Sequence, residues 1–239
     1  MIYAITQPIF GKPLFYWWAG TALILSWMII LRLLANLFIG KPLTQITLKN
    51  KNPQFFFPYF PILDYPLIIC FLYAWINVPL FCPAYFVFFS ALTITIHTDL
   101  QHMLISRFVS LYLMPTGILL SFFGLTFISP LESIVSAIAG YGFLWVINKI
   151  FYHIKKHNGL GQGDLELLAF IASFIGLIGC WVTILVGSTL GTALGCLYML
   201  ITKKSVTVVP FGIFLAIGAL IFVLFEPSIF AYLASTVDL

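Results

Sequence analysis

LIGCWVTILVGSTLGTALGCLYMLI, residues 177–201, carries no charged side chain and does not alternate between apolar and polar positions. About 20 such residues make a helix long enough to cross the hydrocarbon core of a bilayer, whereas a barrel strand shows ~10-residue alternating segments. The stretch reads as a continuous apolar helix. Its surroundings share that character: the 239 residues are 62% hydrophobic and 8% charged, against about 25% charged in an ordinary soluble domain. Lipid is therefore the expected solvent, and the fold class expected is an all-α integral membrane protein.

Prolines, glycines and charge clusters divide the chain into eight apolar segments, roughly Leu14–Ile39, Leu63–Ile76, Ala84–Ile96, Phe108–Ile128, Leu131–Ile150, Leu165–Gly179, Trp181–Ile201 and Pro210–Tyr232. The expectation is a bundle of about eight transmembrane helices, or seven if the break at Cys180/Trp181 is not real. Asn77-Val78-Pro79 supports a turn after the second segment. The first segment is long enough to remain as a span instead of being cleaved as a signal peptide. No domain boundary stands out, so residues 1–239 read as one membrane-embedded domain with a short polar loop at about 40–61. The aromatic run Phe55–Phe60 in that loop suits the membrane surface.

Loops rich in lysine and arginine stay cytoplasmic. Lys41, Lys49 and Lys51, then Arg107, then Lys155 and Lys156, then Lys203 and Lys204 fall in alternate loops, and the opposite loops carry none, Lys12 being the exception. Both termini are thus expected outside, with Tyr16, Trp17 and Trp18 in an outer aromatic belt. The net charge of +4 is a topology signal, because the cations form no stripe able to track nucleic-acid phosphates. Cys70, Cys82, Cys180 and Cys196 lie in or at the ends of apolar segments with no CxxC pair, and read as small buried residues. Gly187, Gly191 and Gly195 recur every four positions and read as a helix-packing face.

Acids are scarce, and at a membrane they are costly and functional by default. Asp99 ends the third segment and Asp164 begins the sixth. Between them the chain crosses out and back through a tight Ser129-Pro130 turn, so both aspartates are expected at the same, cytoplasmic, face. Two carboxyls at a partly dry site cannot both ionise easily, so one keeps a proton. The carboxylate can then take a proton from water while the acid polarises a peptide carbonyl, with neither metal nor nucleophilic side chain required. The pair titrates as a unit, so neither member is assigned as resting base. Asp164 alone would suit a helix N-cap, and Asp64 and Glu132 would suit caps of the second and fifth helices. Glycines around Asp164, among them Gly161 and Gly163, allow close backbone approach or positive φ.

Gly161-Gln162-Gly163-Asp164 resembles the GxGD motif of intramembrane aspartyl proteases, and Gly159–Ala169 is similar to the corresponding stretch of the prepilin peptidase (type IV leader peptidase) family. Asp99–Ile105, Ala139–Trp145 and Val209–Ala216 resemble further elements of that family in the same order, from roughly Thr98 to Leu220. The resemblance implies an aspartic endopeptidase with Asp99 and Asp164 as catalytic pair. It would cut leader peptides from type IV prepilin or type II secretion pseudopilin precursors, after a glycine, at the cytoplasmic face of the bacterial inner membrane. Gly161, Gly163, His102 and Glu166 are expected to bind substrate or support the pair.

Two positions depart from the family pattern: Ser106 replaces a usual proline, and Glu166 a usual lysine, placing a negative charge near the pair. The first loop lacks paired CxxC motifs, so structural zinc is not expected. The resemblance also implies N-methylation of the product with S-adenosylmethionine, which the shortened loop leaves open. His153 and His157 sit four apart with no neighbouring cysteine or carboxylate, and read as a solvated helix end. Two rival functions remain on the sequence alone: a small transporter relaying protons between the carboxylates, and a non-catalytic pilin assembly factor. Membrane lipid is the other expected partner, and the oligomeric state is left open.

Overall fold

The computed structural model describes residues 14–38, 67–74, 81–157, 159–203 and 210–237. Among these residues every regular element is helical. They form α1 (Leu14–Phe38), α2 (67–74), α3 (Cys82–His102), a π-helical turn (Phe108–Tyr112), α4 (Met114–Phe122), α5 (Pro130–Lys155), α6 (Gln162–Thr202) and α7 (Phe211–Val237). The loop at about 40–61, Asp64, the Asn77–Pro79 turn, Lys12 and Lys204 lie outside the described residues, as do the side chains of Tyr16, Trp17 and Trp18.

Two helices, Pro130–Lys155 and Gln162–Ile201, are long and apolar enough to cross a membrane, and shorter apolar helical stretches run over Ala22–Ala35, Phe108–Phe122 and Phe211–Glu226. The expected count of eight crossings is not reached by this measure among the described residues. The segment expected over Phe108–Ile128 is a π-helical turn followed by a short helix that starts with Pro at its first turn and ends at Phe122.

The break expected at Cys180/Trp181 falls instead at Gly176, whose φ of 75° and ψ of −176° are non-helical. That backbone region is essentially restricted to glycine. The chain turns back there. A Cβ on Gly140 would lie 3.2 Å from both Ala172 Cβ and Cys180 Sγ, atoms that eight residues of straight helix would hold about 12 Å apart. Phe211 likewise borders both the cleft containing Asp164 and the groove containing Met199, so the two ends of α6 meet at one end of the molecule. The first limb, 162–175, is about 21 Å long at the usual helical rise, and its residues from Leu165 onward are buried. Gly176→Ala would place a Cβ 2.8 Å from Glu132 Oε1 and 3.0 Å from Ile128 Cγ2. With about 1–3 kcal/mol of backbone strain added, the variant is expected to lower the melting temperature of the purified protein by several degrees. An unchanged melting temperature would place the turn elsewhere.

The core forms where α3 meets the first limb of α6. Phe88 stacks on Phe170 at 5.8 Å and meets Phe174 at 5.3 Å, while Phe71 of α2 meets Phe89 edge-on at 5.4 Å. Trp27 Nε1–H donates to Ser90 Oγ at 2.8 Å, tying α1 to α3. The long helix α5 is capped by Ser129, which accepts the Glu132 N–H at 3.2 Å; Glu132 therefore sits in the first turn and is not the cap. It turns small residues inward, Ser133, Ser136, Ala137 and Gly140, and leaves Leu131, Val135, Ile138 and Trp145 exposed. Ser133 Oγ–H donates to the Ser173 carbonyl at 2.6 Å across that small-residue face.

The second limb of α6 packs on α7 through glycine. A Cβ on Gly187 would come 2.9 Å from the Phe214 carbonyl oxygen, and one on Gly218 2.6 Å from that of Thr183. Gly191 faces the Phe214 ring, but Gly195 meets nothing within 4 Å and opens onto a groove. Beside it Cys196 is exposed, correcting the expectation that all four cysteines are buried; Cys70 and Cys180 are buried and Cys82 is half-buried.

Candidate active site

The last turns of α3 are buried without interruption from Ala91 to Leu100, and Asp99, 4% exposed, is among them. The helix ends at Met103 in the left-handed region (φ 54°), whose N–H donates to the Asp99 carbonyl at 2.8 Å. Asp99 Oδ2 accepts the Ile213 N–H at 3.1 Å. This is a donor of the first turn of α7, which has no partner within its own helix. It stabilises a carboxylate at Asp99. Gly212 is needed there because a Cβ would lie 2.9 Å from Asp99 Oδ2.

Asp164 stands in the first turn of α6, whose N-cap is Gly161. It caps from three residues inside the helix: its Oδ2 accepts the Gly161 N–H at 3.2 Å. The loop before it is pinned by Asn148 of α5, whose Oδ1 accepts the N–H groups of Gly159 at 2.9 Å and Leu160 at 3.1 Å. Gln162 Nε2 donates to Tyr141 Oη at 3.0 Å. Among the described glycines only Gly124 and Gly176 have positive φ, so the glycines beside Asp164 serve close approach. A Cβ on Gly163 would lie 2.8 Å from Ile105 Cβ.

Asp99 and Asp164 line one cavity of about 860 Å³, close enough for the charge on Asp164 to act on Asp99. The cavity is also lined by Met103, Leu104 and Ile105, by Gly159–Gly163, and by Phe151, His157, Pro210 and Phe211. Gly161 and Gly163 are thus in the cleft. His102 is exposed and Glu166 is 5% exposed, and neither lines it. The Glu166 carboxylate faces Arg107, Ser110 and Gln162 instead, so its charge is spent away from the pair.

Sequence reasoning missed His157, Phe151, Phe211 and Asn148. His157, expected at a solvated helix end, is exposed, but its ring lies 5.3 Å from Phe151 and both line the cleft. His153 faces elsewhere, with Nδ1 2.8 Å from the Lys149 carbonyl. The available signal for Asn148 was a lone amide ending the apolar run of α5.

Fold and site together define a helical protein with a paired-aspartate cleft. Residues 86–196, which carry both aspartates, match the model of the type IV leader peptidase family. A prepilin leader peptidase/N-methyltransferase of Stutzerimonas stutzeri is 33% identical over 134 residues, 56% of this chain and 46% of that relative. One of Pseudomonas aeruginosa is 33% identical over 132 residues, 55% and 45% of the two chains. Another, of Xanthomonas campestris pv. campestris, is 32% identical over 121 residues, 50% and 42%. The chain thus matches less than half the length of these curated relatives. No solved structure matches it.

Proposed function

We propose that the chain is a membrane aspartic endopeptidase that removes the leader from type IV prepilin or type II secretion pseudopilin precursors. The observation that carries this is the shared cleft of Asp99 and Asp164, each carboxyl held by a backbone N–H group, inside the stretch matched to the leader peptidase family. A water held between the two carboxyls loses a proton to the ionised one and attacks the scissile carbonyl, which the protonated one polarises. The proton taken from water passes to the departing amine as the tetrahedral intermediate collapses. Gly161 and Gly163 leave room for a substrate backbone beside Asp164.

The 239 residues act as a single membrane-embedded domain in the bacterial inner membrane, crossing about eight times, with the cleft and the loop at about 40–61 on the cytoplasmic side. Support comes from α5, which buries serine, alanine and glycine while exposing leucine, isoleucine and tryptophan. That inversion suits a helix whose outer face meets lipid tails. Lys155, Lys156 and Lys203 lie at the C-terminal ends of α5 and α6, and such cations favour the cytoplasmic side.

N-methylation is named for the relatives. For this chain the cleft is large enough for a nucleoside, and among the described residues the acids lining it are the pair itself. No step is assigned to S-adenosylmethionine. Mass spectrometry of a co-expressed prepilin tests both points. The expected product begins immediately after the leader glycine, and a methyl group on its new N-terminus would show that the chain also uses S-adenosylmethionine. An intact precursor would remove the peptidase assignment.

A further inference from the structure

Glu166 lies two residues after Asp164, is 5% exposed, and does not line the cleft. A carboxylate so buried is costly unless partnered, and its partners come mostly from one distant segment. Ser110 Oγ lies 3.2 Å from Glu166 Oε2, sharing its single proton between that oxygen and the Ser106 carbonyl, also at 3.2 Å. The exposed Arg107 side chain brings Nε to 3.7 Å from Oε1, an ion-pair distance, and Gln162 Nε2 donates to the same oxygen at 3.4 Å. Arg107 is the N-cap and Ser110 the third residue of the π-helical turn that follows Asp99 in the chain.

That segment also carries Ile105, which touches the structure beside both aspartates. Ile105 Cβ lies 2.8 Å from where Gly163 would carry a Cβ, next to Asp164. Its Cδ1 lies 2.7 Å from the corresponding point on Gly212, the residue against Asp99 Oδ2. Whatever holds this segment therefore sets the position of the wedge between the pair. From Met103 to Ser106 the backbone has no helical ladder of its own, so the Glu166 contacts are a fixed attachment just beyond an irregular stretch.

We infer that Glu166 is a positioning residue: through Arg107 and Ser110 it latches the segment after Asp99 to the helix carrying Asp164, and so sets how the two carboxyls face each other. The inference rests on the peptidase assignment for its consequence in catalysis, though not for the latch itself.

The test is a cycle of Arg107→Gln, Glu166→Gln and the double variant, with the charge-exchanged Arg107→Glu/Glu166→Lys protein beside them. All are purified as the full chain in detergent and assayed on a prepilin-type peptide with a basic leader, a glycine and an apolar stem. Misplacing catalytic groups by about 1 Å costs up to roughly a hundredfold in rate. Each single variant is therefore expected to lower kcat roughly tenfold or more with KM within about twofold, and the double variant to lose no more than the worse single. Charge exchange is expected to bring kcat back to within about threefold of wild type. Amide hydrogen exchange over residues 104–112 should quicken in the single variants and return towards wild type on charge exchange. Unchanged kcat in the single variants, or losses that multiply in the double variant, overturns the latch. If the wild-type chain cuts nothing and Asp99→Asn behaves identically, it is the peptidase assignment that has failed. The latch then stands or falls on exchange alone, and unaltered protection at 104–112 overturns it.

Discussion

Asp99→Asn is expected to leave a co-expressed prepilin uncut. Asparagine keeps the size of the side chain and an oxygen to accept the Ile213 N–H, so the end of α3 and the start of α7 remain in place. What is lost is a group that can exchange a proton with water or with the scissile carbonyl, and general acid–base help of this kind is worth roughly 10²–10⁴-fold. Asp164→Asn is expected to do the same while still accepting the Gly161 N–H. Because the pair acts as a unit, the double variant should lose no more than either single. The readout is the fraction of precursor processed at matched enzyme levels. Wild-type processing by either single variant would end the peptidase assignment, and a transporter relaying protons between the same acids would become the better account.

The second large effect is expected at a residue with no side chain. Gly212→Ala places a methyl group 2.9 Å from Asp99 Oδ2 and 2.7 Å from Ile105 Cδ1. Ile105 ends in a flexible methyl and can swing aside, but Asp99 is held by the Ile213 N–H and must move as a carboxyl. A shift of that kind costs up to roughly a hundredfold in rate. Cleavage kinetics should show the loss in kcat, with KM changed much less and the melting temperature close to wild type. A rise in KM with kcat unchanged would mean that Gly212 lines a substrate path and does not seat Asp99.

The apolar runs were legible because lipid-facing and core-facing residues are both apolar, which marks helices clearly while hiding where they bend. Gly176 was lost in that uniformity: nothing nearby distinguishes it from Gly179, and the break was assigned to the more polar-looking Cys180/Trp181. Asp99 and Asp164 stood out because so few acids are present, and the two spans between them made a common end the natural expectation. The surroundings of the pair were not legible in the same way. Glu166 looked like a charge beside the aspartates, and only the fold brings Arg107 and Ser110 to it from more than fifty residues away. Phe211 and Gly212 were visible only as part of a family resemblance, with no hint that the backbone beside them would support Asp99.

The turn at Gly176 also has a mechanical meaning. Asp164 sits twelve residues from it on a limb that is fixed at its far end against Ile128 and Glu132, a lever of about 18 Å. Rocking that lever by about 5° would carry Asp164 through about 1.5 Å. The spacing of the two acids is therefore sensitive to how firmly that limb is packed along its length.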